Sequence, residues 1–218
     1  MRRGFYASTE FSFLVAGLAI IVMAWAANLL GVFSGGTGDS HGGMDIYFWF
    51  LFMLQGIAFA AVGAAYDHHR RLMSDAAFAK RYLVGYLFIL DGAIHLLAFN
   101  EHLISSTYAA LFFEIVSPVQ IILGVLIPHL SPRFDVPWLL FTLFLIGAYV
   151  LTRTVAIWPI GEVEAVDPLG LISKAVEIAT GAALVSLMWA KRAGRANLPP
   201  ASPTDGSRPS DCGSSERI

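Results

Sequence analysis

A single cysteine, Cys212, stands in 218 residues, so the chain can form no internal disulfide and no thiolate zinc cage. Charge is scarce as well. Only 14% of the residues are charged and the net charge is −2, whereas a soluble domain carries about 25%. No basic surface marks a nucleic-acid partner. The sequence has no H-E-x-x-H, no G-x-S-x-G, no phosphate loop and no dinucleotide fingerprint, which removes the usual signatures of zinc peptidases, hydrolases and nucleotide enzymes. The long apolar stretches also lack the polar stripe of an amphipathic surface helix.

What the chain has is apolar residues, 56% of the total. They gather into six runs, at residues 11–33, 46–66, 82–99, 107–127, 136–151 and 169–190, against the about 20 needed to cross a bilayer core. The expected fold class is all-α: a polytopic integral membrane protein built as a six-helix transmembrane bundle over residues 1–193, with the lipid bilayer as its partner. The fifth run is the shortest, and Thr152 and Val155 would extend it. Residues 194–218 turn to Pro, Ser, Gly, Asp and Arg with almost nothing to bury, and read as a disordered tail. No internal repeat is visible, and the two halves share no motif that would mark an inverted-repeat transporter.

Helix-start chemistry supports the boundaries. Asp167 and Pro168 supply an N-cap acceptor and an N1 proline before the sixth run. Asp45 is expected to cap the second run, Ser105, Ser106 or Thr107 the fourth, and Asp135 with Pro137 marks the fifth. Arg2, Arg3 and Ala24-Trp25-Ala26 raise a cleaved-signal alternative for the first run. Its apolar core continues to Phe33, longer than a signal peptide requires, so an uncleaved helix is expected.

Basic residues set the orientation. Arg2 and Arg3 precede the first helix. Arg70, Arg71, Lys80 and Arg81 lie between the second and third, Arg133 between the fourth and fifth, and Lys191, Arg192 and Arg195 after the sixth. The opposite loops, 34–44, 100–106 and 152–168, hold one basic residue, Arg153. Both termini and the tail are therefore expected in the cytoplasm.

The chemistry concentrates in the third helix, at DGAIHLLAFNEH. Ionisable groups within a bilayer are costly and tend to be kept for function. Asp91 is expected near mid-membrane, about 15 Å from Glu101 along a continuous helix, with His95 in the outer half and His102 at the outer surface. Asp91, His95 and His102 share a sector of roughly 40°, with Glu101 pointing elsewhere. Imidazoles and carboxylates are ligands for copper, zinc or iron, so Asp91, His95, Glu101 and His102 form the candidate metal set, with Asp91 alternatively orienting His95. The competing structural reading is that Asp91 and His95 hydrogen-bond each other and neighbouring helices. Two histidines seven apart on one helix cannot be opposite axial ligands of one haem, and His129 lies at the other end.

Five further positions carry intramembrane or interfacial polarity. Glu114 precedes Pro118 by four residues, so its carbonyl loses the usual helical donor. Carboxylate and carbonyl together could bind a cation, a proton or water, or Ser117 could satisfy the kink. Gln120 lies deeper and extends the polar interior. Arg153, surrounded in sequence by Glu162, Glu164 and Asp167, is expected to clamp a carboxylate such as Glu164 and fasten the loop, with Trp158 and Pro159 as an interfacial lid. Lys174 and Glu177 are spaced i, i+3 and can pair along the sixth helix. His41 stands in a Gly-rich loop within possible reach of the outer site, His68 and His69 read as solvated, and Gly56, Ala60 and Ala64 favour close helix packing.

HLLAFNEHL, the Gln of the following helix and RTVAIWPIGEVEAVDPLGLISKAVE resemble a family of small polytopic membrane proteins of archaea and actinobacteria. The resemblance covers Asp91 to Glu177, and the matching positions are His95, Glu101, His102, Arg153, Glu164, Lys174 and Glu177. It implies a membrane protein and supplies no enzyme class. Three functions remain open from the sequence: a metal-binding or redox-associated membrane subunit with an outward-facing site; a proton- or ion-coupled transporter or channel using Asp91, Glu114 and Lys174; and a structural subunit of a membrane complex. No catalytic residue is assigned.

Overall fold

The computed structural model describes residues 8–32, 42–156 and 163–196, and every regular element among them is helical. The helices are α1 (Thr9–Leu29), α2 (Gly42–Ser74), α3 (Ala76–Ser105), α4 (Thr107–Leu126), α5 (Asp135–Thr154) and α6 (Pro168–Ala196), with two 3-10 turns, Ile127–His129 and Pro132–Phe134, between α4 and α5. All six are long and apolar enough to cross a membrane. The expectations about His41, Trp158, Pro159 and Glu162, and all but the first residues of the expected tail, fall outside the described residues. α6 itself runs to Ala196, slightly past the start of that tail.

Cap chemistry sets most of the boundaries. Ser8 accepts from the Phe11 amide at 3.1 Å, Asp75 from Phe78 at 3.0 Å and Ser106 from Ala109 at 3.4 Å. Asp167 accepts from Gly170 at 2.6 Å, satisfying one of the orphan amides of the α6 start. One expected cap is corrected: Asp45 lies inside α2, which begins at Gly42. α5 begins at Asp135, as expected, and the Asp135 carboxylate pairs with Arg81 at 3.1 Å.

α3 is the central helix. It packs against α1, α2, α4 and α6, and 67% of its apolar window is buried, against 17–33% for the other five helices. Asp91 and His95 on it therefore face protein rather than lipid. Close approach in lipid relies on small residues. α1 crosses α2 where Gly17 faces Gly56, and Ala60 and Ala64 are buried further along the same seam. α3 crosses α4 at Gly85 and Gly124, so closely that a Cβ on Gly85 would stand 2.6 Å from the Gly124 carbonyl oxygen. No Cα of α4 comes within 8 Å of one in α5.

Side-chain contacts define the two ends of the bundle. One gathers the start of α1, the α2–α3 junction and the α4–α5 turns. There Glu10 accepts from the Tyr82 hydroxyl at 2.7 Å and hydrogen-bonds His68 at 2.9 Å. His68 is thus a partly exposed residue bonded to a buried carboxylate, not the free loop histidine expected. Arg81 donates to the Ile127 and Leu130 carbonyls at 3.0 and 2.9 Å, a cation at the carbonyl end of α4, where the helix dipole is negative. The opposite end joins Asn28 to Asn100 and carries the connection into α6.

Candidate functional site

α3 brings Asp91 and His95 to one face, one helical turn apart. α6 presents Ser173 and Glu177 with the same spacing, and α4 adds Gln120. Asp91, His95, Gln120, Ser173 and Glu177 are all buried. The Gln120 amide donates to Asp91 Oδ2, and its oxygen lies 2.6 Å from His95 Nδ1. Ser173 donates to Asp91 Oδ1 at 2.7 Å and lies 3.3 Å from His95 Nε2. Glu177 Oε1 is 3.9 Å from the same imidazole nitrogen and accepts from Lys174. Lys174 thus pairs along α6 and also reaches the cluster below. Ligand atoms of Asp91, His95 and Glu177 all lie within 4.8 Å of one another.

The arrangement has one uncompensated atom. Glu177 Oε2 is buried without a hydrogen-bond partner, and such a group in a native interior calls for a proton, an ion or a water. A charged carboxylate oxygen left bare in a low-dielectric interior is costly.

The four residues expected as the metal set are divided. Phe113 lies with its ring centroid 5.3 Å from that of His95 and 5.2 Å from that of His102, so it separates the two imidazoles. Above it, the His102 ring bonds the Ala98 carbonyl through Nδ1 at 2.8 Å, and its Nε2 faces Glu164 at 3.8 Å. Glu101 lies about 100° round the helix from His102 and also borders the cavity that His102 lines. Arg153 donates from one guanidinium nitrogen to Glu164 and from another to Asp167 at 3.2 Å. It joins two carboxylates, one in the connection and one at the start of α6, instead of gripping a single carboxylate through both nitrogens.

Glu114 is outside the cluster. It sits about 120° round α4 from Gln120 at 3.6 residues per turn, and it is exposed on the bundle surface. The predicted convergence of Asp91, Glu114 and Lys174 is therefore corrected: only Asp91 and Lys174 meet, through Glu177. Ser117 donates to the Phe113 carbonyl at 2.6 Å, not to the Glu114 carbonyl freed by Pro118.

Above the buried cluster lies a cavity of about 420 Å³, bounded by α3, α4, α5, α6 and the connection into α6. His95, Ser173 and Lys174 border its inner part and Glu101, His102, Arg153, Glu164 and Asp167 the other. Tyr149 was missed by sequence reasoning, as was Ser173. The Tyr149 ring stands 4.4 Å from the Arg153 guanidinium carbon and 5.2 Å from Lys174 Nζ. Spacing held a signal for Ser173, which lies one turn before Glu177 on the same face.

The chain matches no family model, no curated protein and no solved structure.

Proposed function

We propose that this chain is an integral membrane protein that binds a divalent transition-metal ion through Asp91, His95 and Glu177. The observation that carries the reading is the convergence of one imidazole nitrogen and two carboxylates from α3 and α6, all buried and within 4.8 Å of one another. The partnerless Glu177 Oε2 supports it. An imidazole among the donors favours zinc, copper or iron over magnesium or calcium, which take oxygen ligands. Bonds of about 2.0–2.2 Å require the three donors to draw closer, a rotamer-scale adjustment. Gln120 and Ser173 act as the outer partners that orient such ligands.

The distribution of Lys and Arg supports cytoplasmic termini, which directs the cavity toward the exterior. Membership in the archaeal and actinobacterial membrane family belongs to the same proposal, as does a role as one subunit of a membrane complex.

One contact favours a second reading. Lys174 already compensates Glu177, so the cluster can also hold and exchange a proton without a metal, as in an ion-coupled transporter. Metal analysis of protein purified without chelators separates the two. The metal reading expects near-stoichiometric zinc, copper or iron. Asp91→Asn, His95→Ala and Glu177→Gln each remove it, while Glu114→Gln and His102→Ala retain it. Background metal in the unmodified protein, or content indifferent to all three cluster substitutions, overturns the reading in favour of proton exchange.

A further inference from the structure

His95 and His102 are prepared in the same way. Each Nδ1 faces a fixed oxygen acceptor, the Gln120 amide at 2.6 Å for His95 and the Ala98 carbonyl at 2.8 Å for His102. A carbonyl oxygen only accepts, so Nδ1 of His102 carries a proton and the neutral ring keeps its lone pair on Nε2. That nitrogen faces Glu164 Oε1 at 3.8 Å, as Nε2 of His95 faces Glu177 Oε1 at 3.9 Å. The gap is too long for a hydrogen bond. It lies near the roughly 3.4 Å that separates two donors on one tetrahedral zinc ion.

Glu164 is held in place from two sides. Its amide donates to the Thr152 carbonyl at 3.1 Å, and Oε2 accepts from Arg153. Oε1 is the oxygen turned to His102. Both donors are thus oriented by outer partners, as metal ligands are. Charge selects the sign of the occupant. Glu101, Glu164 and Asp167 outnumber Arg153 and Lys174 around the cavity, and both cations already pair with carboxylates. A cation is favoured, and an imidazole donor favours zinc, copper or iron over magnesium or calcium. Two protein donors leave the other coordination positions to water, so the ion can exchange. His102 and His95 border one cavity of about 420 Å³, so an ion released by the first can reach the second inside the protein.

We infer that His102 and Glu164 form a second metal position, an exchangeable station for a divalent transition-metal ion, from which the inner cluster is loaded. The station stands on its own geometry. The loading step rests on the metal reading of Asp91, His95 and Glu177.

The test is equilibrium dialysis of the chelator-stripped full chain in detergent against zinc chloride, with bound zinc counted per chain. The unmodified protein should take up one ion tightly and a second more weakly, with magnesium unable to displace either. His102→Ala and Glu164→Gln should each weaken the second ion by about tenfold or more, since loss of even an outer partner costs that much. Both should keep the first, and Glu177→Gln should show the reverse. His102→Ala leaves the Arg153 contacts in place, so it tests the station even if Glu164→Gln loosens the connection. Loading is read by mixing metal-free protein with limiting zinc and counting the zinc that survives a brief chelator quench. His102→Ala should fill the inner cluster about tenfold more slowly, to the same final level, because the local supply of ions is lost.

A weak ion indifferent to both outer substitutions, or no second ion at any zinc concentration, overturns the station and leaves His102 and Glu164 a plain ion pair. Equal filling rates overturn the loading step. Loss of the tight ion from the unmodified protein, with the His102-dependent ion retained, overturns the metal reading of the inner cluster and not the station.

Discussion

Gln120 fixes the tautomer of His95. Its amide nitrogen must donate to Asp91, which leaves its oxygen 2.6 Å from His95 Nδ1. An amide oxygen only accepts, so Nδ1 carries the proton and Nε2 keeps its lone pair. That lone pair points toward Ser173 and Glu177. The single hydroxyl proton of Ser173 is used at Asp91, its shortest contact. His95 is thereby presented as an acceptor or ligand, and α4 is coupled to a cluster otherwise shared by α3 and α6.

Gln120→Leu should show this coupling. The apolar side chain leaves Asp91 Oδ2 and the His95 Nδ1 proton buried and unpaired, at a cost of about 1–3 kcal/mol each way of counting the lost partner. Thermal unfolding in detergent should fall accordingly, and metal affinity should drop about 10- to 100-fold as for other outer partners. Unchanged metal affinity with lowered stability would assign Gln120 a structural part only.

Arg153 ties the connection to α6, and its removal should loosen a local segment rather than the bundle. Arg153→Met leaves Glu164 and Asp167 without their shared donor. Hydrogen exchange should accelerate in residues 163–167, with a stability loss of about 1–2 kcal/mol. Arg153→Lys should recover only part of this, because an ammonium lacks the planar fork that spans two carboxylates. Full rescue by lysine would show that charge alone fastens the segment.

The α3–α4 crossing makes the sharpest packing prediction. Gly85→Ala places a methyl group 2.6 Å from a backbone oxygen that no rotamer change can move. The helices must separate, at a cost of about 1–3 kcal/mol. Gly147 in α5 has nothing within 4 Å of an added Cβ, so Gly147→Ala should be neutral or stabilise by up to about 1 kcal/mol. Denaturant unfolding of the two variants side by side checks the contrast. Equal effects would mean that the crossing is looser than described.

Run length and cap residues carried the architecture: the apolar stretches mark six helices because lipid permits few alternatives to a self-satisfied backbone. Asp91 and His95 were legible for the same reason, as costly groups on the face of one helix. Their partners were not. Whether Gln120 faces α3, or Glu177 faces Asp91, depends on which helices touch, and uniform apolarity carries no adjacency signal. Glu114 shows the cost. Depth along α4 put it level with a polar interior, but its angular position put it on the exposed side. Phe113 was equally hidden, since only tertiary packing reveals a ring inserted between two histidines of one stripe.

Cys212 gives a direct measure of orientation, because it is the sole thiol in the chain. If both termini face the cytoplasm, a membrane-impermeant maleimide should leave it unmodified in intact cells and label it in inverted vesicles. The complementary probe is Val163→Cys in a Cys212→Ser background. Val163 is 53% exposed in the connection that carries Glu164, at the end of the bundle opposite the Glu10 network. It should label from outside intact cells. Labelling of both positions from the same side would break the single crossing, α6, between Val163 and Cys212. Exchange of the two patterns would retain the bundle but invert it, sending the Arg153 cavity to the cytoplasm and with it the source of any metal ion that reaches Asp91, His95 and Glu177.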